Sequence, residues 1–97
     1  MNKLTCIAKI EAQAEHKKTV LAELTKLIHP TQKEQGCINY DLHVDNSNDA
    51  MFMFHETWGS EEDLNSHSQS SHIKKCFDII GGMLVSTEVL RLTKVNV

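Results

Sequence analysis

His55-Glu-Thr-Trp-Gly-Ser-Glu-Glu-Asp-Leu-Asn-Ser-His-Ser-Gln-Ser-Ser-His72 is the stretch from which the fold is read. Its first residues close an alternating, strand-like run on Trp58. Ser60-Glu-Glu-Asp63 then comes close to a capping box, with a hydroxyl at the N-cap, an acid at N3 and carboxylates that complement the helix dipole. A strand therefore passes straight into a helix, predicted to be short because Ser66-His-Ser-Gln-Ser-Ser71 interrupts it. The interruption puts His67 and His72 at a helix joint, just beyond an aromatic ring. Imidazole is the one side chain whose unperturbed pKa lies near neutrality, so the arrangement suits proton transfer beside a flat organic molecule.

The flanking sequence supplies the rest of the layout. Residues 37–44 alternate, with Ile38, Tyr40, Leu42 and Val44 on one face and Cys37, Asn39, Asp41 and His43 on the other. Asp45-Asn-Ser-Asn-Asp49 is turn chemistry, in which short polar side chains bond the local backbone and Asn tolerates positive φ. Residues 51–58 return as the second arm of the hairpin, with Phe52, Phe54, Glu56 and Trp58 on one side and Met53, His55 and Thr57 on the other. Residues 3–11 alternate as a first strand, with Leu4, Cys6, Ala8 and Ile10 on one face. Between them, Val20, Leu21, Leu24, Leu27 and Ile28 form the apolar stripe of a helix over residues 14–35. Pro30 predicts a kink or break in that helix, and Gly36 a left-handed stop. After the joint, Ile73, Cys76, Phe77 and Ile80 mark another helical face running into Gly81-Gly82, and residues 87–97 alternate as a last strand.

The order βα, ββ, αα, β predicts one α+β domain over residues 1–97. Its fold class is the ferredoxin-like, split βαβ antiparallel sheet with helices on one face. Several strands carry apolar residues on both faces, and one layer of helices covers only one. A second sheet is therefore expected against the other face, which predicts an isologous homodimer with two sheets meeting as a barrel.

Composition narrows the function classes. The chain has 97 residues, 40% hydrophobic and 24% charged, as an ordinary folded domain has. Thirteen acids against ten bases give a net charge of -3, and the lysines are scattered, so nucleic acid is not an expected partner. No apolar run approaches a membrane span of roughly 20 residues, and the N-terminus enters the first strand without a signal-peptide core, so a cytoplasmic protein without membrane contact is expected. Cys6, Cys37 and Cys76 are odd in number, widely spaced and set among apolar neighbours, which fits reduced core thiols.

Three motifs in this order, Glu34-Gln-Gly-Cys-Ile-Asn-Tyr40, Glu56-Thr-Trp58 and His67-Ser-Gln-Ser-Ser-His72, resemble the antibiotic biosynthesis monooxygenase domain family over nearly the whole chain. Its branches include quinol monooxygenases, the isomerase of the phosphorylated autoinducer-2 sugar, actinorhodin-pathway monooxygenases and haem-degrading monooxygenases. The resemblance implies a dimeric α+β barrel with one pocket per subunit between sheet and helices. In the quinol and polyketide branches it implies oxygen chemistry without flavin, haem or metal. A deprotonated hydroquinone can itself pass an electron to O2, so the protein need supply only a base, an apolar pocket and orientation. The chain departs from the haem-degrading branch, because its first strand reads Thr5-Cys-Ile-Ala-Lys9 and its last helix offers Cys76-Phe77 where that branch has asparagine and histidine. Gln13-Ala-Glu-His16 also stands where the family usually has Pro-Gly before the first helix.

The resemblance implies catalytic roles for His72, His67 and Glu56, and substrate contacts for Trp58, Tyr40 and Phe54. Each has a plainer reading. Trp58 also serves as a core anchor, Tyr40 packs with Ile38 and Leu42, and a buried Glu56 must be either paired or protonated. His72 ranks ahead of His67 as the base, because it begins the last helix beside the core residue Ile73. The two histidines are five apart, unlike the i, i+4 pair of helical zinc sites, and no third ligand stands at a motif-like spacing, so no metal is expected. The expected activity is a cofactor-independent monooxygenation of a small hydroxylated aromatic or quinol by O2. The alternatives are isomerisation of a phosphorylated sugar, with Lys74 and Lys75 as phosphate donors, and non-enzymatic binding of small aromatics.

Overall fold

Apolar residues at every second strand position assemble the sheet. The computed structural model describes residues 3–96. Its strands are β1 (Leu4–Ala12), β2 (Cys37–Asp45), β3 (Asn48–Trp58) and β4 (Leu84–Leu92), in the order β2-β3-β1-β4 with every neighbouring pair antiparallel. Four helices, α1 (Lys17–Thr25), α2 (Ile28–Gln32), α3 (Glu61–Ser68) and α4 (Ser71–Ile80), complete a ferredoxin-like α+β fold. The core lies between sheet and helices. Ala50, Phe52, Phe54, Glu56 and Trp58 of β3 face it at period two, and Val20, Leu24, Leu64, Cys76 and Ile80 close over them. Full burial of Phe52 and of Phe54 each contributes up to about 3 kcal/mol. The row also carries one carboxylate, Glu56, opposite Cys6 of β1 and Tyr40 of β2.

Four expectations change in detail. The helix over residues 14–35 divides into a short 3-10 turn, α1 and α2, and the break falls at Lys26 and Leu27. Pro30 sits in the first turn of α2, where its missing N–H is harmless. Continuing α1 through it would drive the proline ring into the Lys26 carbonyl. The hairpin is tighter than Asp45–Asp49, because Asp45 already pairs with Asn48. Its turn is held by Ser47 N donating to Asp45 Oδ1 (2.8 Å) and Ala50 N to Asn48 Oδ1 (3.1 Å), and no described residue other than glycine has positive φ. Helix α3 runs through His67 to Ser68, and Ser70 then caps α4 by accepting from Ile73 N (3.4 Å). Strand β4 begins at Leu84 and ends at Leu92, which pairs with Thr5, one residue short of the start of β1 at Leu4. Val97, expected to end the last strand, lies outside the described residues.

The helices lie over β2, β3 and β1 and leave β4 projecting. Val85 and Val89 are 61% and 60% exposed. At the other end of the molecule, Gly36 turns the chain from α2 into β2 with φ of 81°. Gly59 N donates to Gly36 O (2.8 Å), and the Asp63 side chain sits where a Cβ at position 36 would be, 2.7 Å even from its own Cβ. Gly36→Ala is therefore expected to lower unfolding stability by about 2–3 kcal/mol through left-handed strain and this collision. Adding Asp63→Ala removes the carboxylate but keeps the Cβ at 2.7 Å, so it should restore only part of the loss. Chemical denaturation checks both, and an unaltered midpoint in Gly36→Ala would contradict the corner.

Candidate functional site

Because β4 is uncovered, the space between the sheet and α3–α4 is not filled to its edge. A cavity of about 180 Å³ remains, floored by Cys6, Tyr40, Phe54 and Glu56, walled by Leu64, His67 and Phe77, and open beside Lys9, Glu88 and Val89. This volume compares with the roughly 150 Å³ apolar cavity known to take up benzene. One aromatic ring with small substituents fits.

His67 is the titratable group of the wall, beside Ser68. It lies in the last turn of α3, is 5% exposed, and packs with its ring centroid 4.8 Å from that of Trp58 and 5.3 Å, edge-on, from that of Tyr40. Its Nδ1 donates to Glu34 Oε2 at 2.7 Å, which fixes the tautomer and leaves a lone pair on Nε2. Among the described residues the only sealed side-chain nitrogen or oxygen without a partner is Thr31 Oγ1, so the unpaired His67 Nε2 keeps access to the cavity. Burial pushes the imidazole below its ordinary pKa, against the opposing pull of Glu34. Neutral at neutral pH, it is a competent base.

Glu34 is the residue that sequence reasoning passed over. It opens the first motif, yet its role depends on Gly36, which folds the chain back so that the carboxylate meets residues 33 and 38 positions away. His72 Nε2 donates to the same oxygen, Oε2, at 2.8 Å. Only the choice of an acid two residues before a left-handed glycine hints at the arrangement. The third ligand-type side chain that spacing did not offer is thus supplied by tertiary structure. Glu34 Oε2, His67 Nδ1 and His72 Nε2 all lie within 4.8 Å of one another.

Glu56 forms the acidic part of the floor. Trp58 Nε1 donates to its Oε1 at 2.9 Å. Burial nevertheless pushes the Glu56 pKa up to about 7, outweighing the lowering effect of the Trp58 indole and the Cys6 thiol, and the charge of Glu34 adds to the rise. Cys6 responds to the same burial and to Glu56, its thiol being raised to about 12, so it remains an inert neutral group. Burial likewise raises the Tyr40 hydroxyl well above its ordinary value, which keeps it a neutral donor, and its ring stacks on Phe54 at 4.4 Å.

Of the six expected site residues, Tyr40, Phe54, Glu56 and His67 meet in the cavity. Trp58 does not reach it. The indole is fully buried behind Glu56 and His67, because its N–H finds its acceptor in Glu56 and its ring completes the packing of His67. His72 does not line the cavity either. The break between α3 and α4 turns it toward α1, where it borders a separate groove with Glu23, Lys26 and Lys75. His67, not His72, is therefore the histidine that lines the cavity. Arg91 donates to Asn65 Oδ1 (2.9 Å), and His43 and His55 are exposed on the far sheet face.

Comparison with known proteins agrees with this architecture. Residues 4–78 match the family model for antibiotic biosynthesis monooxygenase. The fold superposes on that of protein PA3566 from Pseudomonas aeruginosa with a TM-score of 0.93 at 28% identity, covering 99% of this chain and 97% of that one. A solved structure described as an antibiotic biosynthesis monooxygenase gives a TM-score of 0.90 at 26% identity, covering 96% and 99%. The uncharacterized protein sll1783 of Synechocystis is 24% identical over 86 residues, which are 89% of this chain but only 58% of the length of that relative. No helix of the described residues is long and apolar enough to cross a membrane. With about three quarters of its length matched, from the first strand into α4, the chain belongs to the antibiotic biosynthesis monooxygenase family.

Proposed function

We propose that this protein inserts one atom of O2 into a small hydroxylated aromatic or quinol, with His67 as the base and no cofactor taking part. The carrying observation is the Glu34–His67 pair, which aims a neutral imidazole nitrogen into an apolar, ring-sized cavity. His67 Nε2 takes the hydroxyl proton of the substrate. The resulting anion gives one electron to O2, and the radical pair joins at a ring carbon as a peroxide. Loss of that carbon's hydrogen as a proton cleaves the O–O bond and leaves a ring carbonyl. The departing oxygen leaves as water, taking up protons equal to those the substrate gave. Glu56, which holds a proton near neutrality, is the second proton carrier. Lys9 is the single cation lining the cavity and sits opposite Glu88, while Lys75 borders the other groove. A phosphorylated sugar is accordingly the less suitable guest.

The same reading makes the molecule a homodimer. Val89, one of the exposed valines of β4, lines the mouth of the cavity, and a second copy laid on β4 would cover both the strand and the mouth. Light scattering at micromolar concentration should give twice the chain mass, and a monomer mass would refute this part.

Oxygen uptake with a panel of hydroquinones and naphthols tests the activity. Turnover should vanish without O2, and His67→Ala should lower kcat by about 10²–10³-fold. Glu34→Gln should also reduce turnover and move the acid limb of the kcat/KM profile to lower pH, because the carboxylate that raises the His67 pKa is gone. Turnover indifferent to oxygen, or to His67→Ala, would end the proposal.

Glu56 gives a separate pH signature. Its folded pKa of about 7 lies above the ordinary 4.5, so the folded state holds the proton more tightly. The stability this contributes is complete below about pH 4.5 and is lost as pH rises through 7, an effect of about 3 kcal/mol at about 1.4 kcal/mol per pH unit. Glu56→Gln keeps an oxygen for Trp58 but cannot ionise. Between pH 5 and pH 8 the parent should therefore lose about 2–3 kcal/mol more stability than the variant. Parallel stability profiles would show that Glu56 ionises normally.

A further inference from the structure

We infer that Glu34, His67 and His72 form a binding site for one zinc-class divalent cation, and that the bound ion silences His67. Two imidazoles and one carboxylate, with a fourth position left to water, are a donor set that such ions take. The three donor atoms come from three segments, the corner after α2, the end of α3 and the start of α4, and lie within 4.8 Å of one another.

The fit requires a small adjustment. Tetrahedral ligands at bonds of about 2.0–2.1 Å stand about 3.4 Å apart. The two contacts to Glu34, now 2.7 and 2.8 Å, must therefore open while the imidazoles close on the ion. His67 is clamped by Trp58 and Tyr40 and stays in place. The Glu34 and His72 side chains are 18% and 24% exposed and can make the movement. Entry is through the groove between α1 and α4 that His72 borders, where Lys26 is already paired with Glu23 at 2.8 Å.

The consequence for chemistry follows from the ring nitrogens. Coordination uses the Nδ1 lone pair of His67, so its proton moves to Nε2, and no proton needs to leave the ring. Nε2 then donates and can no longer accept. This consequence rests on His67 being the base, whereas the ion site itself does not.

The test uses chelator-treated protein without substrate. Zn2+ titrated by calorimetry should bind at one ion per chain with micromolar or tighter Kd, and Co2+ should give the intense visible bands of a four-coordinate site. His72→Ala and Glu34→Gln each remove a ligand and should weaken binding by more than the roughly 10–100-fold that loss of an outer-shell partner costs, and His29→Ala, an exposed histidine elsewhere, should leave it unchanged. Circular dichroism melts supply a second readout, in which Zn2+ raises Tm for the parent and not for the folded variants. Binding that both variants retain, or the absence of saturable one-to-one binding to the parent, would overturn the site. Because no turnover is measured, its failure is distinct from failure of the proposed oxygenation.

Discussion

One carboxylate oxygen organises this molecule. Glu34 Oε2 accepts from His67 Nδ1 and His72 Nε2 at 2.7 and 2.8 Å, and so ties the corner between α2 and β2 to both sides of the α3–α4 joint. Without it, the buried His67 Nδ1–H would have no acceptor, a cost of about 1–3 kcal/mol, and the imidazole would lose the partner that fixes its tautomer. The bond thus sets the wall of the cavity and the side on which its one free nitrogen appears. Its own placement depends on Gly36, whose positive φ aims the corner at the helix joint.

A second constraint runs along β3. A strand whose core face reads Phe52, Phe54, Glu56, Trp58 must bury a carboxylate among aromatic rings, and one indole N–H does not offset that burial. The result is an acid that holds its proton near neutral pH, across a ring-sized cavity from a base that is free of one. Burial drives both shifts, raising the acid and lowering the imidazole, so both groups favour their neutral forms. The Cys6 thiol, raised by the same burial, contributes volume and not reactivity.

Much of this was legible in the sequence, and the limits have physical causes. Period-two runs located four strands, although only β1 and β3 turn a row of buried residues to the core and β4 buries none, and Ser60 located the start of α3 because its hydroxyl accepts from Asp63 N. Pro30 announced a broken helix but not the place of the break, which depends on the carbonyl four residues earlier. The end of β4 falls beside the start of β1, which no local pattern reports. In the site, Tyr40, Phe54 and Glu56 were named by the family resemblance, and strand parity put Phe54 and Glu56 on one face. Parity also put Trp58 on the core face, but not how far its indole sinks beneath Glu56. The sequence ranked His72 ahead of His67, whereas the cavity is lined by His67, because two residues, Gln69 and Ser70, decide how α4 is turned relative to α3. Glu34 was hidden by the distance along the chain between it and both of its partners.

The most direct test concerns the protonation of a single ring. Long-range 1H–15N correlation NMR of imidazole-labelled protein at pH 7, with the His67 signals assigned by their loss in His67→Gln, reports the state of each nitrogen. A neutral ring with the proton on Nδ1 and a lone pair on Nε2 is the predicted result. An imidazolium, or a neutral ring protonated on Nε2, would contradict a base poised by Glu34 toward the cavity.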